Sequence, residues 1–112
     1  MLLRDRSALE DIDLTCSEIM MFTADLTYEA FIEDRRNFRS VERGLIVIGE
    51  AVRRLSPEFR ERHQHIRWRS IVGMRNFLVH DYDDVTVSEV WRVAIVDVPI
   101  LSKQVNRILA EG

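Results

Sequence analysis

The nine-residue segment Met74-Arg75-Asn76-Phe77-Leu78-Val79-His80-Asp81-Tyr82 gathers a guanidinium, a carboxamide, an imidazole and a phenol where the neighbouring positions are mostly apolar. An imidazole ordinarily titrates at about pH 6.5, so His80 can give or accept a proton at neutral pH. Arg75 is permanently charged; it could hold a phosphate and stabilise the extra negative charge of a pentacoordinate phosphorane. Tyr82 could orient a partner or carry a covalent modification. On a helix Asn76 and His80, four apart, share a face, while Arg75 lies about 100° round from Asn76 and lines up with Tyr82 seven positions later. The same residues also have a purely structural use. Asn and His one turn apart can cap or hydrogen-bond a helix end, and Arg75 could simply pair with Asp81 or Glu50.

Other chemistries find less support. His63, His65 and His80 lack the helical His-x3-His spacing of a zinc site, and Cys16 is the single cysteine, so no metal centre is expected. Gly44, Gly49 and Gly73 stand alone within helical pattern; they form no phosphate-binding loop and are expected to mark close helix contacts. No serine sits near a histidine and an acid in a way that suggests a triad.

The elements that must carry this segment read as helices. Leu9, Ile12, Cys16 and Ile19 recur at intervals of three and four, giving a first helix over about 3–24. Thr27 is an N-cap by residue type, and the stripe Phe38, Val41, Leu45, Ile48, Val52 and Leu55 predicts one long helix after it, ending at Ser56-Pro57. Pro57 then opens a short exposed helix. A third main helix is expected over about 67–81, and Thr86-Val87-Ser88-Glu89 has the form of a capping box for the last one. Pro99 falls inside that last helix, where it should bend the axis without stopping it. No hairpin dipeptide or repeat is present. The expected fold is all-α, an antiparallel four- to five-helix bundle, with residues 1–112 forming one domain.

Composition narrows the class. In 112 residues, 46% are hydrophobic and only four are Gly and two Pro, which excludes a disordered or low-complexity chain. No apolar run approaches the length of a membrane span, the first residues lack the pattern of a secretory signal, and one cysteine forms no internal disulfide, so a cytoplasmic protein is expected. Charge is polarised. Residues 1–34 carry two Arg against nine acids, whereas residues 53–80 carry seven Arg against two acids. Either the acidic first helix pairs with the basic middle, or the basic middle meets an anionic partner.

At these residues the chain resembles the HEPN superfamily, and within it the HepT-like toxins of MNT/HepT toxin–antitoxin pairs. The motif Arg-x4-His-x-Tyr is met by Arg75, His80 and Tyr82, with Asn76 as the polar residue after the arginine. The resemblance extends over the segment 41–52, the lead-in from Trp68 to Gly73, and the Val90-Trp91 helix with Pro99-Ile100-Leu101. It implies a homodimeric, metal-independent endoribonuclease toxin of the type VII class, with no cofactor. Arg75 and His80 become catalytic, Asn76 supportive, and Tyr82 the acceptor of AMP from a cognate minimal nucleotidyltransferase antitoxin. A non-catalytic module accessory to a nucleotidyltransferase is the alternative.

Arg75 and His80 lie five positions apart, about 140° round a helix, which is awkward within one subunit and would be relieved by a two-fold axis. Phe77, Leu78 and Val79, with a 38–55 stripe longer than a short bundle must bury, also point to a dimer. Arg60, Arg62, Arg67 and Arg69 are expected to touch RNA phosphates, with Trp68 a stacking candidate but better suited to the core.

Overall fold

The computed structural model describes residues 1–80 and 87–112, so Tyr82, the acidic cluster around it and Thr86 lie outside the described residues. Every regular element among the described residues is helical. Helix α1 (Leu3–Thr23) turns Ala8, Leu9, Ile12, Cys16 and Ile19 inward, as their spacing requires. The Thr23 hydroxyl donates back to the Ile19 carbonyl at 2.8 Å near its end.

The long second helix expected after Thr27 is two helices. Thr27 does cap α2 (Tyr28–Glu33), its hydroxyl accepting from the Ala30 N–H at 3.1 Å. Asp34 then takes an extended conformation, accepts from the Arg36 N–H at 2.9 Å, and starts α3 (Arg35–Arg54). A short acceptor side chain immediately before a helical run is a good N-cap, and here that local preference divides the expected long helix ahead of the apolar stripe. Phe31 on α2 is fully buried against Trp91, with ring centroids 4.9 Å apart.

Helix α3 is the spine. Val41, Leu45, Ile48 and Val52 are buried along one face, and Leu55 closes it. This corrects the expectation that the stripe has apolar surface to spare for a partner: between Val41 and Leu55 it is consumed within one chain. Ser56 caps α4 (Pro57–Arg62) by accepting from the Phe59 N–H at 3.2 Å, with Pro57 at the first position. Helix α5 (Trp68–His80) then returns along α3.

The C-terminal segment comprises α6 (Val87–Arg92), a π-helical turn (Val93–Asp97) and α7 (Val98–Glu111). Pro99 explains the turn. It cannot donate a backbone hydrogen bond, and the ladder before it slips to the wider i to i+5 pattern, with the Val98 N–H reaching the Val93 carbonyl. The helix continues past the slip, and Val93, Ala94, Val98, Leu101, Val105 and Ile108 stay in the core on both sides of it.

Helix α1 is sandwiched between α3 and α7, and its first turn is tied to the α3–α4 corner. The buried Asp5 carboxylate accepts from the Ser56 N–H at 2.7 Å and from the Ser56 hydroxyl at 2.8 Å, so the carboxylate is solvated by the protein. The Arg4 guanidinium donates to the Arg54 carbonyl at 2.9 Å, and Arg54 pairs with Asp11. The acidic helix therefore does meet a basic residue of the middle segment, though at one pair only.

Candidate functional site

Helix α5 carries Arg75, Asn76 and His80, and Gly49 on α3 decides how closely it approaches. A Cβ at Gly49 would overlap the Cβ of Arg75 and lie 2.7 Å from its Cγ and 3.4 Å from the Ile71 carbonyl. The absent side chain is thus the seat of the arginine stem. Gly44 plays the same role toward Ile19 on α1, whereas Gly73 meets nothing within 4 Å and marks no close contact, contrary to expectation.

Seated in this way, the Arg75 side chain is only 16% exposed, with one terminal nitrogen 3.8 Å from the Glu50 carboxylate and the other donating to the Asn76 side-chain oxygen at 3.0 Å. Its Nε is buried and has no hydrogen-bond partner among the described residues. The structural pairing with Glu50 is therefore real but long. It leaves the guanidinium with donors to spare, as an anion site needs. Asn76 and His80 are exposed, and His80 is the last residue of α5. The imidazole therefore stands at the surface, with the guanidinium largely beneath that surface.

On one flank of α5 lies an apolar groove of about 840 Å³ between this helix and the π turn with α7. Its floor includes Ile48, Ile71 and Leu101, and its rim includes Phe77 and Ile100, which are 42% and 54% exposed. Of the apolar run on α5, Leu78 is core, while Phe77 and Val79 face outward. On the other flank Arg60, Arg67 and Arg69 come together with Asn76 and with Arg53, which sequence reasoning had counted only as part of the basic segment. Arg62 is exposed but does not line that depression.

Trp68 is buried, and its indole N–H donates to the His63 carbonyl at 3.1 Å, so it belongs to the core. Burial, and secondarily the charges of His65 and Arg62, hold the His63 imidazole below its ordinary value. No group of three metal-ligating side chains occurs among the described residues. No helix among them is long and apolar enough to cross a membrane.

A compact helical domain whose motif helix exposes Asn and His, beside a largely buried Arg and a cluster of arginines, is suited to acting on a phosphodiester polyanion, and comparison with known proteins names the class as ribonuclease. The family model described as "Ribonuclease HepT-like" matches residues 12–108. The chain belongs to that HepT-like family. Relatives include a chain of Caldanaerobacter subterraneus subsp. tengcongensis, provisionally named as an RNase, 38% identical over 104 residues that cover 93% of each chain. A Methanocaldococcus jannaschii chain with the same kind of name is 36% identical over 101 residues, covering 90% of this chain and 93% of the relative. A chain of Thermococcus cleftensis, provisionally named ribonuclease HepT, is 33% identical over 100 residues, covering 89% of this chain and 91% of the relative. No solved structure matches the chain.

Proposed function

We propose that this protein is a metal-independent endoribonuclease toxin of a type VII pair, acting as a homodimer in which Arg75 and His80 of two chains meet at one cleft. The observation that carries this reading is the placing, on a helix inside the family match, of exposed Asn76 and His80 beside a mostly buried Arg75 whose Nε has no hydrogen-bond partner among the described residues. RNA supplies its own nucleophile. One His80 takes the 2'-hydroxyl proton as the oxygen attacks phosphorus, the Arg75 guanidinium stabilises the phosphorane, and the His80 of the second chain protonates the departing 5'-oxygen. The products are a 2',3'-cyclic phosphate and a 5'-hydroxyl, with protons balanced between the two imidazoles.

Two chains are invoked because Arg75 and His80 lie about 140° apart round one helix, and the mainly apolar groove flanking α5, with Phe77 on its rim, is the face that a second copy would cover. Asn76 holds Arg75 in place. Arg60, Arg62, Arg67 and Arg69 contact backbone phosphates. Tyr82, outside the described residues, is the acceptor through which a cognate nucleotidyltransferase silences the enzyme by AMP transfer.

Purified protein incubated with RNA in the presence of chelator should cleave it. His80→Ala and Arg75→Ala should each lower kcat by about 10²- to 10³-fold with the melting temperature of His80→Ala unchanged. Equal activity in wild type and both variants would overturn the assignment. Intact mass after co-expression with the partner enzyme reads AMP addition, and Tyr82→Phe should abolish it.

A further inference from the structure

The depression on the basic flank of α5 measures about 1000 Å³ and is lined by Arg53 from the end of α3, Arg60 from α4, and Arg67 and Arg69 at the start of α5. Glu61 is the one acidic residue on its wall among the described residues, so positive charge is in excess there. These four guanidinium groups differ from others in the chain. Arg36, Arg39, Arg54 and Arg92 each have a carboxylate partner. Arg53, Arg60, Arg67 and Arg69 make no ion pair and no side-chain hydrogen bond among the described residues. Four like charges gathered around a single carboxylate repel one another, which is a cost to the fold that an incoming polyanion reverses.

Placement adds direction. The trough follows α5 from Trp68 to Asn76, a rise of about 12 Å, and Asn76 is the residue that hydrogen-bonds Arg75. A chain of phosphates lying in it is delivered to the motif arginine. The walls otherwise offer Gln64 and Ser70 as hydrogen-bonding groups and no ring open for stacking, since Trp68 is buried with its N–H already engaged. Contact is therefore with the sugar-phosphate backbone and not with bases.

We infer that the α4–α5 trough is an exosite for the RNA backbone, in which Arg53, Arg60, Arg67 and Arg69 hold the phosphates that flank the cleaved linkage and Asn76 marks their passage to Arg75. The inference rests on the ribonuclease reading, replaces Arg62 with Arg53 in the binding set, and gives the strand a path. Binding here is read as sequence-tolerant and strongly dependent on salt.

The test measures cleavage of a short single-stranded RNA, and its binding to the His80→Ala protein, across a range of salt concentrations. The double variant Arg53→Ala/Arg69→Ala changes two exposed side chains that line the trough and not the apolar groove, and a melting curve checks that it folds. It should raise KM about tenfold with kcat within twofold, and reduce the slope of log affinity against log salt by about 0.7 for each arginine removed. Arg107→Ala removes an exposed charge from α7 outside the trough and should leave both readouts unchanged. If the double variant changes KM and slope no more than Arg107→Ala does, the exosite is refuted, while cleavage that still needs His80 leaves the ribonuclease reading standing. Failure of the wild type to cleave strikes that reading instead, and the binding slope still decides whether the trough takes RNA.

Discussion

Helices α1 and α5 lie on α3, but they are held in opposite ways. Helix α1 has α3 on one side and α7 on the other, and buries Ala8, Leu9, Ile12, Thr15, Cys16, Ile19 and Thr23 between them, with Asp5 clamped at its start. The Cys16 thiol is pushed up to about 12 by that burial, and secondarily by Asp13. Helix α5 packs chiefly on α3, buries only Trp68 and Leu78, and has an open groove on each flank, apolar on one and basic on the other. One helix supplies the stability and the other supplies surface, and the motif residues Arg75, Asn76 and His80 ride on the second. A helix committed on both sides to the core has no face left for a substrate or a partner.

The sharpest way to break this contrast is to remove one large side chain from each helix. Leu9→Ala leaves a cavity in a fully buried site and should cost about 2–5 kcal/mol of unfolding free energy in urea. Phe77→Ala, on the exposed side of α5, should change monomer stability by far less and instead weaken self-association, read by light scattering. Comparable losses in urea would mean that α5 is as deeply integrated as α1.

A smaller effect separates two glycines. Gly49→Ala forces a methyl group into the Arg75 stem and should cost about 1–3 kcal/mol, with a fall in kcat larger than the change in melting temperature suggests because the motif arginine is displaced. Gly73→Ala meets open space within a helix and should stabilise by about 0.5–1 kcal/mol. The opposite signs follow from what each missing Cβ faces.

The smallest effect is a pH dependence near the α4–α5 junction. Burial holds the folded His63 pKa below its ordinary value, so around that value the unfolded chain binds the proton more readily. Stability from this group is present above about pH 6.5 and is lost as pH falls from there toward the folded pKa. His63→Gln should flatten that part of the stability profile, measured as urea midpoints at successive pH values.

Much of the fold was legible as residue spacing, because burial on one face of a helix imposes a period of three and four and caps have a short list of suitable residues. Helix α1, the Ser56-Pro57 start of α4, the placement of Trp68 in the core and the continuation of the last helix through Pro99 all follow from such local rules. Two expectations failed for related reasons. The stripe from Val41 to Leu55 was read as more than one chain could bury, yet α1 and α5 flank α3 and consume it. The break at Asp34 was hidden because a capping side chain and an apolar stripe compete, and the pattern does not reveal which prevails.

For the site, the sequence alone determined which residues could do chemistry on a phosphate and that they ride on a helix, since side-chain type and local periodicity travel with the chain. The tertiary structure alone decided that Gly49 seats Arg75, that Glu50 and Asn76 share its guanidinium, and that Arg53 joins Arg60, Arg67 and Arg69 in one trough while Arg62 does not. Those are contacts between helices, and they depend on how α3, α4 and α5 cross in space, which spacing along any one of them does not encode.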